Sequence, residues 1–288
     1  MMLKELFDAG KLVITSEIGP PKGTDVSEIM AGVEPIRGRV DAINVTDLQS
    51  SVMRLGSLAV CHLLKEKGFE PVFQITCRDR NRLALQSDLL SASVLGIENV
   101  LCLTGDHTTL GDHPEAQPVY DLDSVSLIHT VKKLTSGVDM EGHELEGAPK
   151  FSVGAVVNPG AEPIELQILK MEKKVDAGAE FFQTQGIFEA DKFEKFIKAT
   201  EHLKVPIIAG IILLKSAGMA RFMNSNIAGV FVPDAIIREM AKAKSKTKVS
   251  VAIAGRIIKE VRDMCSGIHL MPLGWDARVP EVLDVAGL

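Results

Sequence analysis

An α/β fold, a parallel (β/α)8 barrel (TIM barrel) preceded by one extra helix, is the architecture this sequence predicts, and three observations carry the prediction. Apolar runs of strand length alternate with segments of helical spacing along all 288 residues. Eight such runs are present, the number at which a parallel sheet closes on itself. The intervals between them leave no room for antiparallel hairpins. An open doubly wound sheet is the alternative, but the first strand runs into Gly19-Pro20-Pro21 where a dinucleotide fold places its G-x-G-x-x-G turn. One barrel domain over residues 1–288 is therefore expected, with its site at the carboxyl ends of the strands.

Each element has its own justification. Met1 to Gly10 has the spacing of a short amphipathic helix closed by glycine. Leu12 to Ile18 reads as the first strand, since two prolines cannot continue a central ladder, and Glu17 lies near its end. Helical spacing at Val26, Ile29, Met30 and Val33 covers Asp25 to Arg37, and Val40 to Asp47 forms the second strand. A helix from Ser57 to Lys67 precedes the third strand, Pro71 to Cys77, which Arg78-Asp79-Arg80-Asn81 stops. Leu83, Leu85, Leu89, Leu90 and Leu95 mark the next helix. Asn99 to Leu103 is apolar enough to be buried on both faces and hands Thr104-Gly105-Asp106 to whatever lies beyond it.

The longest irregular region follows, His107 to Pro149, interrupted by a helix from Asp123 to Leu134; such an excursion is expected to be functional or lid-like. The remaining strands are Phe151 to Val157, Phe181 to Ile187, Pro206 to Ile212 and Gly267 to Leu273. Between them lie helices over Glu162 to Ala177, Ala190 to Leu203, Gly218 to Met223, Asp234 to Lys244 and Ser250 to Cys265.

Composition narrows the function. The net charge of −6 comes from well-mixed acids and bases, without a basic stripe interleaved with aromatics, so a nucleic-acid surface is not expected. No apolar run approaches the length of a membrane span, and the first residues lack a signal peptide's apolar core and cleavage site. Cys61, Cys77, Cys102 and Cys265 are far apart, with no C-x-x-C pair to suggest zinc or a disulfide framework. A cytoplasmic protein is expected.

The strand ends carry Glu17, Thr46 with Asp47, Gln74 with Thr76, Thr104 with Asp106, Gln183 with Gln185, and Lys215 with Ser216. This ring of acids, amides and hydroxyls suits acid chemistry plus hydrogen-bond reading of a flat, polar heterocycle. His107 and His113 beside Asp112 are the one hint of a metal site, and solvated loop residues explain them better. No G-x-S-x-G elbow and no local Cys–His pair point to a covalent nucleophile.

The series Thr15-Ser16-Glu17-Ile18-Gly19-Pro20-Pro21, Asn44-Val45-Thr46, Leu103-Thr104-Gly105-Asp106 and Lys173-Lys174-Val175-Asp176-Ala177-Gly178-Ala179-Glu180-Phe181-Phe182-Gln183-Thr184-Gln185 resembles the methylenetetrahydrofolate reductase family in order and spacing across nearly the whole chain. Asp79-Arg80-Asn81-Arg82-Leu83-Ala84-Leu85-Gln86 resembles the subgroup of anaerobic, one-carbon-fixing bacteria. The resemblance implies a flavin-containing barrel that reduces 5,10-methylenetetrahydrofolate to 5-methyltetrahydrofolate. FAD is the flavin it implies, with FMN as the alternative, and no metal. It assigns Glu17 as the acid that protonates N10, Asp106 as the fixed charge beside flavin and pterin, and Gln185 with Gln183 as amides that read the folate. Flavin contacts fall on Thr46, Gln74, Leu103, Thr104, Gly105, Asp106, Gly154, Val156, Lys170, Lys173 and Lys174, the lysines suiting phosphate.

Several positions depart from the family pattern. Gln74 and Gly160 stand where His is common, Thr104 where Arg is common and Val156 where Tyr is common. Leu213 to Gly218 lacks the aromatic that stacks with NADH or folate, and Gly274-Trp275-Asp276 replaces an Arg for the folate tail. These losses imply a weaker grip on an adenine-bearing flavin and poor direct oxidation of NADH. A second, zinc-containing subunit or another electron-donating protein is the expected partner beside the folate, in an oligomer. No regulatory domain is expected beyond Leu288. The rival readings are a pterin-binding barrel methyltransferase, which needs no flavin, and a partner subunit without chemistry.

Overall fold

The computed structural model describes residues 1–288. Eight strands alternate with helices and close into one all-parallel barrel in sequence order, the last strand pairing with the first. The order is α1 (Leu3–Asp8), β1 (Val13–Ile18), α2 (Ser27–Gly32), β2 (Ala42–Val45), α3 (Ser57–Glu66), β3 (Pro71–Thr76), α4 (Arg82–Val94) and β4 (Asn99–Leu103). It continues with α5 (Ser124–Thr135), β5 (Ser152–Val157), α6 (Ile164–Ala177), β6 (Phe181–Gly186), α7 (Ala190–Thr200), β7 (Ile207–Ile212), α8 (Ala217–Asn226), α9 (Asp234–Lys242), α10 (Lys246–Val261), β8 (Gly267–Met271) and α11 (Val279–Ala286). No helix is long and apolar enough to cross a membrane.

Three elements differ from the sequence reading. The helix expected over Asp25 to Arg37 breaks into α2 and a 3-10 turn over Glu34–Ile36, because Pro35 has no N–H to donate and its ring disfavours continuing the α-helix through it. The helix before β8 begins at Lys246, four residues before the expected Ser250. The C-terminal α11 was not anticipated. Its signals are present: Pro280 in its first turn, buried Val279, Val282, Leu283 and Ala286 at helical spacing, and Gly287 closing it at φ 74°.

Apolar side chains on the outward faces of the strands pack beneath the helices to make the larger core. Inside the barrel the character changes along the strands. Val13, Ala42, Val72, Leu101, Phe181 and Ile208 fill the lower interior, and α1 closes it from below with Leu3 and the Phe7 ring, 5.7 Å from that of Phe181. Leu3 N donates to Asn99 Oδ1 (2.7 Å) and Lys4 N to Ser152 Oγ (3.1 Å), so the first turn's free donors are satisfied by the barrel itself. Two and four residues further along, the same inward positions are polar: Thr15 and Glu17 on β1, Gln74 and Thr76 on β3, Gln183 and Gln185 on β6. An apolar floor thus carries a polar upper layer that opens at the strands' carboxyl ends.

Candidate active site

The polar layer lines a cavity of about 360 Å³ at the barrel mouth. A second cavity, about 280 Å³, adjoins it and shares Thr104, Ser124, Val156, Lys174 and Gln185 as wall. β1 brings Glu17 into the first, with its side chain only 11% exposed. Gln74 Nε2 donates to Glu17 Oε2 at 3.1 Å, and His269 Nε2 lies 3.6 Å from the same oxygen. His269 is buried, and its other ring nitrogen is 2.9 Å from Thr15 Oγ1, its register partner across the β1–β8 seam. The sequence reading missed His269. Its inward parity with Gly267 and Met271 on β8 was the available signal.

Asp106 enters the same cavity from the loop after β4. The chain turns there at Gly105, whose φ of 92° favours glycine, and Tyr120 Oη donates to the Gly105 carbonyl at 3.2 Å. The Asp106 side chain is exposed and carries no ion pair, so its charge stays available to a ligand. Asp47 behaves differently from the other acids in the ring. It is fully buried and accepts from Thr76 N (2.9 Å), Thr76 Oγ1 (2.8 Å) and Arg80 Nη1 (2.7 Å), which makes it an internal anchor for the β2 and β3 ends.

Gln183 and Gln185 both reach the cavity, to different effect. Gln183 is buried and accepts from Asn44 Nδ2 at 2.7 Å across the barrel, while Gln185 is exposed with its amide uncommitted. Leu103 and Val156 provide half-buried apolar wall. Thr104 turns its hydroxyl to the first turn of α5, accepting from Ser124 N at 3.2 Å.

The three lysines of α6 separate. Lys174 is buried, lines both cavities and donates to the Val156 carbonyl at 2.7 Å. Burial, reinforced by the neighbouring charge of Lys170, pushes its ammonium down to about 8. Lys170 is exposed on the rim of the second cavity, and Lys173 is exposed and lines neither. Two further positions assigned to the flavin also lie outside the cavity wall. Gly154 is needed by the barrel itself, since a Cβ there would sit 2.3 Å from Phe181 Cζ. Thr46 is buried at the end of β2 with its hydroxyl unpartnered.

No cluster of His, Cys, Asp and Glu is arranged to hold a metal. His113 leans on Asp112 (2.9 Å) and His107 on Thr109 (3.0 Å). Cys61, Cys77 and Cys102 are buried, and burial pushes the Cys77 thiol up to about 12, which leaves it inert as a nucleophile.

Residues 2–287 match the family model described as methylenetetrahydrofolate reductase. "Methylenetetrahydrofolate reductase 2" of Schizosaccharomyces pombe is 26% identical over all of this chain, which spans 48% of that protein. The 5,10-methylenetetrahydrofolate reductase of Pectobacterium carotovorum is 25% identical over 70% of the chain and 64% of its own length. The chain thus spans about half to two thirds of the length of these relatives. A Clostridium thermocellum protein described as binding two copies of 5-methyl-5,6,7,8-tetrahydrofolic acid has the same fold, with a TM-score of 0.69, 15% identity and 99% coverage of both chains. 2,3-Dimethylmalate lyase shares the barrel more distantly, at a TM-score of 0.54 and 12% identity over 99% of this chain and 82% of its own. With the family model matched from one end to the other over a closed barrel whose polar mouth carries Glu17, Asp106 and Gln185, the chain belongs to the methylenetetrahydrofolate reductase family.

Proposed function

We propose that this chain reduces 5,10-methylenetetrahydrofolate to 5-methyltetrahydrofolate with a bound flavin. The observation that carries the reading is the convergence of Glu17, Asp106 and Gln185 on one cavity from the carboxyl ends of β1, β4 and β6. The residues fit a flavin. The wall combines apolar Leu103 and Val156 with an uncommitted amide, and the ammoniums of Lys170 and Lys174, neither in an ion pair, lie beside the adjoining cavity. Lys170 and Lys174 would hold the phosphate. When bound, the flavin supplies the hydride that reduces the methylene carbon.

Glu17 is the proton donor to N10, whose protonation opens the five-membered ring to a 5-iminium cation. Gln74 holds one Glu17 carboxyl oxygen by a hydrogen bond and His269 stands 3.6 Å from the same oxygen, so the proton is delivered from a defined position. Asp106 places a fixed negative charge where the cation develops and costs no reorganisation when it forms. Gln185 can read the pterin's donors and acceptors, whereas Gln183 acts through its bond to Asn44 as support for the β6 end. The subgroup resemblance and the departures at Gln74, Thr104, Val156 and Gly160 support a protein that takes electrons from a partner protein, a zinc-containing subunit among the candidates. An oligomer and a cytoplasmic location belong to the same reading.

The half-reactions test it. Glu17→Gln should abolish methylenetetrahydrofolate reduction while the flavin is still reduced by an artificial donor, and Asp106→Asn should slow the folate half-reaction roughly 10- to 1000-fold. Equal loss of both half-reactions in a folded Glu17→Gln protein would remove its assigned role. A colourless purified protein that binds 5-methyltetrahydrofolate would favour the methyltransferase reading instead.

A further inference from the structure

Arg78 lies two residues beyond the end of β3 and is among the largest fully buried side chains in the molecule, yet it forms part of the cavity wall. Every nitrogen of its guanidinium is engaged. Nη1 donates to the Asp106 carbonyl (3.1 Å), Nη2 to the Leu48 carbonyl (3.2 Å), and Nε with Nη2 to both Asp79 carboxylate oxygens (2.7 to 3.1 Å). Its own carbonyl accepts from Val119 N at 2.7 Å. One side chain therefore ties the loop after β2 to the loop after β4, across the end of the strand between them.

The loop after β2 needs such a tie. Leu48, Ser50 and Ser51 have φ of 46°, 56° and 58°, a left-handed conformation that non-glycine residues hold only when their surroundings impose it. Leu48 and Ser50 line the cavity. On the far side the Ser51 carbonyl abuts Gly111, where a Cβ would lie 1.8 Å from it, and Met53 N donates to Asp112 Oδ1 at 2.9 Å. The two loops are packed as one rim, and Asp106 stands on it.

The charge arrangement is equally specific. The guanidinium grips the main chain of Asp106 but pairs with the carboxylate of Asp79. A buried cation bound to the Asp106 carboxylate would cancel the charge the proposed reaction needs. Paired with Asp79, it contributes position without cancelling that charge.

We infer that Arg78, neutralised by Asp79, is the positioning residue that fixes Asp106 on the cavity rim and leaves its carboxylate uncompensated for a cationic folate intermediate. The inference rests on the proposed role of Asp106. In the flavin-loaded protein, Arg78→Met should slow reoxidation by methylenetetrahydrofolate roughly 10- to 100-fold, with flavin content and reduction by an artificial donor unchanged. Amide exchange should quicken in residues 46–53 and 104–113 and not in the barrel strands. In Arg78→Ala, methylguanidinium should restore the rate and methylammonium should not, because only the planar fork reaches both carbonyls. Asp79→Asn should also slow the folate step, by freeing the guanidinium to offset Asp106, and should add nothing in the Arg78→Met background.

A normal folate rate in Arg78→Met, or additive effects of the two substitutions, would overturn the inference. If Arg78→Met does not fold, Arg78→Lys with Asp79→Asn reads the same coupling, and normal rates in both would overturn it. If the wild-type protein reduces no folate, the functional reading has failed on its own account. Unchanged exchange in both loops of Arg78→Met would then show that the tie is absent too.

Discussion

Lys174 shows how one residue can serve two opposed ends. Burial holds its ammonium near 8 against an ordinary 10.5, so below about pH 8 the folded chain carries a charge it would rather shed. Between those values the unfolded chain binds a proton the folded one does not. Stability therefore rises with pH across that window, by about 3 kcal/mol in all. Phosphate affinity should move the other way, because the charge that attracts it is lost above about 8. Flavin titrations from pH 7 to 9 should show weakening affinity while urea midpoints of the unloaded protein rise, and Lys174→Met should flatten both trends. Strong pH dependence persisting in Lys174→Met would assign the effect elsewhere. At this scale, the places of Glu17, Asp106 and Gln185 on the cavity wall were legible because each lies at or just beyond a strand's carboxyl end, while their roles came from the family resemblance alone. His269 was not legible, because its meaning comes from Thr15 and Glu17 across a seam that spacing does not reveal. Nor could spacing separate Lys174 from Lys173, which face opposite environments one residue apart.

The elements were legible wherever period and punctuation agreed. All eight strands lie where apolar runs predicted them, each bounded by glycine, proline or a polar cluster. Two of the three misreadings came where a proline spoke against a helix, at Pro35, or for one, at Pro280; the third was the earlier start of α10 at Lys246. The helix α1 was read correctly as an element, but its task as floor of the barrel depends on Asn99 and Ser152, which no local pattern links to it. Leu3 is completely buried beneath Phe181 and Val13, so Leu3→Ala should cost about 2–5 kcal/mol through lost burial and the cavity left behind. The urea midpoint should fall with the slope unchanged. A shift below about 0.5 kcal/mol would mean that α1 contributes little to the barrel's stability.

For the molecule as a whole, the proposed partner dependence follows from which surfaces are filled. A side chain at position 160 would meet the Gly229 carbonyl at 2.0 Å, so the segment after α8 occupies the space where the family resemblance would put a His, and Leu213 to Gly218 offers no aromatic for stacking. Stopped-flow mixing of the flavin-loaded protein with NADH should give slow, unsaturated reduction until a protein donor is added; fast saturable reduction without one would refute this. The seam between first and last strands bears on time as well as place. Thr15 and His269 touch although they stand 254 positions apart, and Glu17 gains its histidine only when that seam forms. Long-range closure is the slow part of folding a parallel sheet. A chain refolding from urea should therefore recover its helical circular dichroism first and its turnover later, the lag being the lifetime of an unclosed barrel. Until then its two end strands are bare edges, and the yield of active protein should fall as refolding concentration rises.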